Sequence, residues 1–94
     1  MEELKPIYDG RKSFYNKAQI KTEDNKTILL SYNTEVLQIE NGKPYLNFNI
    51  DLNLLFSSTT LRHIKEFLKQ NGFKADNKNQ IINDYINDKN NNLK

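Results

Sequence analysis

The sequence predicts an α+β fold: an antiparallel β-meander of about four strands, one main helix packed on it and a weak C-terminal helix. Three observations carry this. Segments between Phe14 and Leu52 alternate apolar and polar residues at the period of two that marks a half-buried strand. Asn41-Gly42 separates two of them, and both central residues of a type I′ hairpin need the positive φ that Asn and Gly tolerate. Leu61, Ile64, Phe67 and Leu68 then recur at helical spacing, behind a run of hydroxyl residues and ahead of Gly72.

Taken in order, residues 1–12 are polar, with Pro6 and Gly10 as breakers, and read as a flexible N-terminal arm. Residues 13–75 form the α+β domain. Its first strand runs from Phe14 to Lys21, with Phe14, Ala18 and Ile20 on one face and Tyr15, Lys17, Gln19 and Lys21 on the other. Glu23-Asp24-Asn25-Lys26 is a polar loop of hairpin length. The second strand runs from Thr27 to Tyr32, with Ile28, Leu30 and Tyr32 on one face, and Asn33-Thr34 interrupts as a bulge or a turn.

The third strand is Glu35 to Glu40. The fourth begins at Lys43, with Leu46, Phe48, Ile50 and Leu52 alternating against Tyr45, Asn47, Asn49 and Asp51. A two-residue Asn41-Gly42 loop pairs Glu40 with Lys43 and Leu37 with Leu46, which puts Leu37, Ile39, Leu46 and Phe48 on one face. Pro44 stands near the strand start, where its missing N–H costs least.

Ser57-Ser58-Thr59-Thr60 supplies N-cap candidates for the main helix. Gly72 ends it at C′, with Phe73 set to touch Leu68 as in a Schellman motif. Ile81, Ile82, Tyr85 and Ile86 draw an apolar stripe for a short helix over residues 76–88, against the poor helix propensity of its asparagines. Residues 89–94 read as a disordered tail. The expected core is Phe14, Ile20, Ile28, Leu30, Leu37, Ile39, Leu46, Phe48, Leu61, Ile64, Phe67 and Leu68.

Length and composition narrow the function. Ninety-four residues hold one small core. With no cysteine there is neither a disulfide framework nor a thiolate metal site. Met1-Glu2-Glu3-Leu4-Lys5-Pro6 is acidic and has no apolar segment of a signal peptide, so a cytoplasmic protein is expected and the sequon Asn25-Lys26-Thr27 carries no weight. No apolar run approaches the roughly 18 residues of a membrane span. Fifteen asparagines and twelve lysines point to a low-GC genome.

Chemistry-bearing patterns are sparse. His63 is the only histidine, too few for a zinc site. Asn49, Asp51 and Asn53 open like an EF-hand loop, but Leu54 and Thr60 stand where the loop needs Gly and Glu. Thr59 and Thr60 lie four and three residues before His63, the spacing of a nucleophile beside a base, yet a hydroxyl run ahead of an amphipathic helix is first of all a cap. The carboxylates Glu23 and Asp24 share a loop tip, and Asp84 and Asp88 a solvated helix face. There is no phosphate-cradling glycine loop. No catalytic residue, metal or cofactor is assigned, and a non-enzymatic protein is expected.

The net charge of +2 hides a pattern: residues 11–26 and 59–74 each sum to +3, while residues 27–58 between them sum to −2. Arg62, Lys65 and Lys69 fall within about 60° of one another on a helix. With Arg11, Lys12, Lys17 and Lys21 they make a candidate basic surface, which with interleaved aromatic residues suits phosphates and bases. The plainer alternative is a solvated helix face with Arg62–Glu66 as an i, i+4 pair.

Three blocks carry a family resemblance: residues 11–18 (Arg-Lys-Ser-Phe-Tyr-Asn-Lys-Ala), residues 30–36 (Leu-Ser-Tyr-Asn-Thr-Glu-Val) and residues 57–72, with Ser57, Thr59, Thr60, Arg62, His63, Glu66 and Phe67 as the motif of the last. Together they resemble a family of small, uncharacterised proteins from phages, plasmids and mobile elements of low-GC Gram-positive bacteria. The resemblance implies a genomic setting and no activity. In that setting the expected function is binding: an anti-defence, anti-CRISPR-like inhibitor acting on a host protein or nucleoprotein. The alternative is a nucleic-acid-binding accessory protein for replication, transfer or transcription. One sheet covered by one helix also leaves a face open to a second copy, so a homodimer is a further candidate.

Overall fold

The computed structural model describes residues 1–85. Five antiparallel strands lie side by side in chain order: β1 (Glu2–Glu3), β2 (Ala18–Glu23), β3 (Lys26–Ser31), β4 (Thr34–Glu40) and β5 (Lys43–Leu46). They are followed by α1 (Leu52–Leu55), α2 (Ser58–Gln70) and α3 (Lys78–Tyr85). This is the α+β meander with a main helix and a short C-terminal helix, with one strand more than expected.

Tight turns set the registers. Asn41 and Gly42 sit at φ 53° and 77°, and Glu40 pairs with Lys43 and Leu37 with Leu46, as the spacing predicts. At the β2–β3 turn, Glu23 pairs with Lys26, which places Ile20 opposite Leu29 and Ala18 opposite Ser31. Directly opposed residues share a face of the sheet. The inward residues of β3 are therefore Leu29 and Ser31, not the expected Ile28, Leu30 and Tyr32. Ile28 and Leu30 lie on the far face, still buried there. A bulge opposite Leu29 and Leu30 adds one residue to β4, and Val36 and Leu37 both reach the core.

The expected continuation of the last strand to Leu52 does not form. Asn47 donates its side-chain amide to the Glu35 carbonyl at 2.7 Å and accepts from the Asn49 N–H at 3.0 Å. Asp51 accepts from the Asn53 N–H at 2.9 Å. Such local bonds offer the backbone an alternative to the ladder, and the chain turns into α1, burying Leu55.

The caps of α2 follow the sequence. Ser57 is the N-cap, its hydroxyl accepting from the Thr60 N–H. At the other end Phe73 N–H bonds the Leu68 carbonyl and Gly72 N–H the Lys69 carbonyl, with Gly72 at φ 83°: a Schellman closure. Ile64, Phe67 and Leu68 meet Ala18, Leu29, Val36, Leu37 and Leu46 in the core, and Ile20, Ile39, Phe48 and Leu61 pack at its border. At the start of α3, Asn77 accepts from the Gln80 N–H, and Ile81 and Tyr85 are buried. The expected end of this helix and the tail 89–94 lie outside the described residues.

The largest departure is at the N-terminus. Residues 1–12, expected as a flexible arm, are built into the fold over much of their length. Glu2 and Glu3 pair with Ile20 and Gln19 as β1, and Leu4 is 1% exposed in the core. The segment then crosses to α2, where Glu66 holds it.

Candidate functional site

Two turns of the same composition stand side by side. Tyr15-Asn16 has φ of 52° and 61°, closed by the Lys17 N–H bonding the Phe14 carbonyl at 2.9 Å. Tyr32-Asn33 has φ of 52° and 66° and joins β3 to β4. Positive φ at both central residues is the type I′ pattern, in which Asn is well accommodated and a bulky Tyr is not. The Tyr32 N–H donates to the Lys17 carbonyl at 2.8 Å, stitching one turn to the other. Both tyrosines project outward, Tyr15 74% and Tyr32 45% exposed.

These turns border a recess of about 390 Å³ lined by Arg11, Ser13, Phe14, Tyr15, Lys17, Tyr32, Thr59, Arg62 and His63. His63 is buried against the Phe14 ring edge, with centroids 4.7 Å apart, and is tilted against Tyr32 at 5.8 Å. Its Nδ1 is 2.8 Å from the Ser31 hydroxyl, which is 3.2 Å from the Thr60 hydroxyl. Burial pushes the imidazole down to about 4, opposed by the Asp9 carboxylate and reinforced by Arg11. At neutral pH the ring is uncharged, and it forms part of the recess wall. The inward turn of Ser31, produced by the β2–β3 register, builds this seam.

The Ser31–His63 pair has the atoms of a nucleophile and base, but Ser31 is 1% exposed. A ring held neutral down to pH 4 is also a weak base. The arrangement supports a role in orienting the imidazole. Ser57 is occupied as the helix cap, and Thr59 is exposed at the recess.

Glu66 is the second buried anchor, 2% exposed. Its carboxylate accepts from three successive backbone N–H groups, Ile7 at 2.8 Å, Tyr8 at 3.0 Å and Asp9 at 2.9 Å, and from the Gln70 amide at 2.6 Å. Successive N–H groups converging on one anion form a nest; here the anion is the protein's own. The grip fixes Asp9, whose Oδ1 accepts from the Arg11 N–H at 2.9 Å and pairs with Arg62 Nη1 at 3.1 Å. The expected Arg62–Glu66 pair is replaced: Arg62 turns to Asp9, and Glu66 faces inward.

The candidate basic residues divide three ways. Arg11, Lys17 and Arg62 line the recess, and Lys12 is exposed between Arg11 and Ser13. Arg62 also lines a neighbouring hollow with Lys65 and Lys69, walled by Tyr8, Asp9 and Gly10. Lys21 is apart. It lies on the far face of the sheet, 3.1 Å from Glu35 and 3.6 Å from Glu23, and the Glu35 bond raises its pKa. Sequence reasoning missed Asp9, Ser31, Tyr32 and Glu66. The repeated Tyr-Asn dipeptide was the one local signal for the paired turns.

Fold and site together define a small α+β domain that presents an aromatic, cationic recess where three separate sequence blocks converge. Residues 11–18, 30–36 and 57–72 each contribute to it. The chain belongs to the DUF8033 family, a family of unknown function, whose pattern matches residues 2–84. No curated protein and no solved structure matches it. Among the described residues no helix is long and apolar enough to cross a membrane.

Proposed function

We propose that this is a non-enzymatic binding protein of a phage or other mobile element, working in the bacterial cytoplasm, and that its ligand is single-stranded nucleic acid. The observation that carries the reading is the pair of exposed tyrosines held at positive φ around a recess with three cations. A left-handed backbone costs an L-residue roughly 1–2 kcal/mol. Folding alone therefore favours Gly or Asn at positions 15 and 32. Aromatic faces beside Arg11, Lys17 and Arg62 supply what a single strand needs: platforms for bases and charges for phosphates. A role against host defence follows the same route, with the recess engaging the exposed strand of a host nucleoprotein.

Fluorescence anisotropy with short labelled single-stranded DNA and RNA tests this. Binding is expected to fall steeply with salt, and Tyr15→Ala and Tyr32→Ala each to cost about 1–3 kcal/mol of affinity. Tyr32→Gly is expected to separate the two roles, gaining about 0.5–1 kcal/mol of stability while losing affinity. Absence of binding to either nucleic acid at low salt defeats the reading, and so does binding indifferent to both tyrosines.

A further inference from the structure

The hollow beside the recess has a composition that the recess alone does not explain. Its rim carries Lys65 and Lys69 one helical turn apart on α2, with Arg62 one turn before Lys65. Its volume is about 350 Å³, close to that of the recess, and Arg62 lines both. Facing these cations is Asp9, among the described residues the one carboxylate in an ion pair with any of them, at 3.1 Å from Arg62 Nη1. Asp9 is not there by accident of a loose loop: Glu66 holds its backbone N–H at 2.9 Å. Glu66 itself lines the hollow, but its oxygens are spent on backbone donors and Gln70.

We infer that this hollow is a phosphodiester site for the nucleotide flanking the one in the recess, and that Asp9 is a built-in placeholder which a ligand phosphate displaces from Arg62. The inference rests on the nucleic-acid reading above. The chemistry is an exchange of one anion for another on a guanidinium, with no covalent step. A phosphate offers Arg62 a forked acceptor and brings the flanking strand within reach of Lys65 and Lys69. Asp9 released from Arg62 keeps the Arg11 N–H as a partner on Oδ1, and its carboxylate, 14% exposed while paired, has to turn outward to water as the phosphate takes its place. The strand then runs from the aromatic recess over Arg62 and along α2. A mononucleotide fills the recess only, and a dinucleotide or longer strand spans both hollows.

Anisotropy of the intact chain with labelled oligonucleotides of two and six nucleotides, together with competition by a mononucleotide, tests this across a salt series. Asp9→Asn keeps an acceptor for Arg11 but not the charge. It is expected to tighten the six-nucleotide strand about threefold to tenfold, because no carboxylate then competes with the phosphate for Arg62. Lys65→Gln with Lys69→Gln is expected to weaken both labelled strands and to flatten the six-nucleotide slope by about 1.4, while competition by the mononucleotide at the recess is unchanged. Lys43→Gln, on β5, is expected to change nothing. Strand binding that ignores Asp9 and both lysines, yet still responds to Tyr15→Ala, overturns this inference and leaves the recess reading standing. No binding of any strand overturns both.

Discussion

On the helix side of the sheet Glu66 is buried and meets four donors; on the far side Lys21 meets Glu35 and Glu23 in the open. Both are networks of charge and hydrogen bonds of similar length, but their consequences differ because water screens one and not the other. The far face mixes Lys21, Glu23, Lys26, Glu35, Gln38 and Tyr45 around the buried Ile28 and Leu30, and these four charges balance. The helix side instead spends its buried polar groups on positioning. Ser31 and Thr60 orient His63, and Glu66 places Asp9 beside Arg62. Polar residues buried together on one side of a small domain are costly unless paired, and here every one of them faces or fixes the recess.

The contrast can be broken by substitution. Glu66→Ala is expected to have the largest effect, a loss of about 3–5 kcal/mol in urea unfolding, because three backbone N–H groups lose a charged acceptor in a buried setting. An effect no greater than that of an exposed residue would place the carboxylate in solvent and dissolve the contrast.

His63 comes next, through pH. Its folded pKa is depressed to about 4 from 6.5, so the unfolded chain takes up the proton first as pH falls. The His63 contribution is therefore complete above pH 6.5 and is lost as pH drops from 6.5 towards 4. The shift bounds the effect at about 3 kcal/mol. His63→Asn is expected to remove that part of the slope in unfolding free energy between pH 4 and 6.5. An unchanged slope would mean the ring is solvated. The smallest effect belongs to Lys21→Gln, expected to move Tm by no more than about 2 °C; a larger shift would give the exposed pair the weight assigned here to the buried one.

Local signals were legible in the sequence, and long-range ones were not. Asn41-Gly42, Ser57 and Gly72 each act through neighbours within a few residues, and each stands where the pattern put it. Ile28-Leu29-Leu30 is apolar at every position, so alternation cannot say which residue turns inward; the register at Glu23 and Lys26 decides. Glu66 reads as the solvated partner of Arg62 because its real partners lie 57 to 59 residues away. Of the site, the basic segments 11–26 and 59–74 were visible as charge. Their convergence depends on docking of residues 2–9, which Leu4 and Glu66 secure. The turns at Tyr15 and Tyr32 were hidden for the opposite reason. Propensity places tyrosine in strands, and only the structure shows both in left-handed turns.

The central claim is that the three blocks build one ligand surface on the helix side. The direct test is a two-dimensional amide and side-chain NMR titration of the protein with a short single-stranded oligonucleotide. The account predicts shifts confined to Asp9, Arg11, Tyr15, Lys17, Tyr32, Arg62, His63, Lys65 and Lys69, with Lys21, Glu35 and Gln38 unmoved. Shifts centred on the far face of the sheet, or none at all at saturating oligonucleotide and low salt, would contradict it.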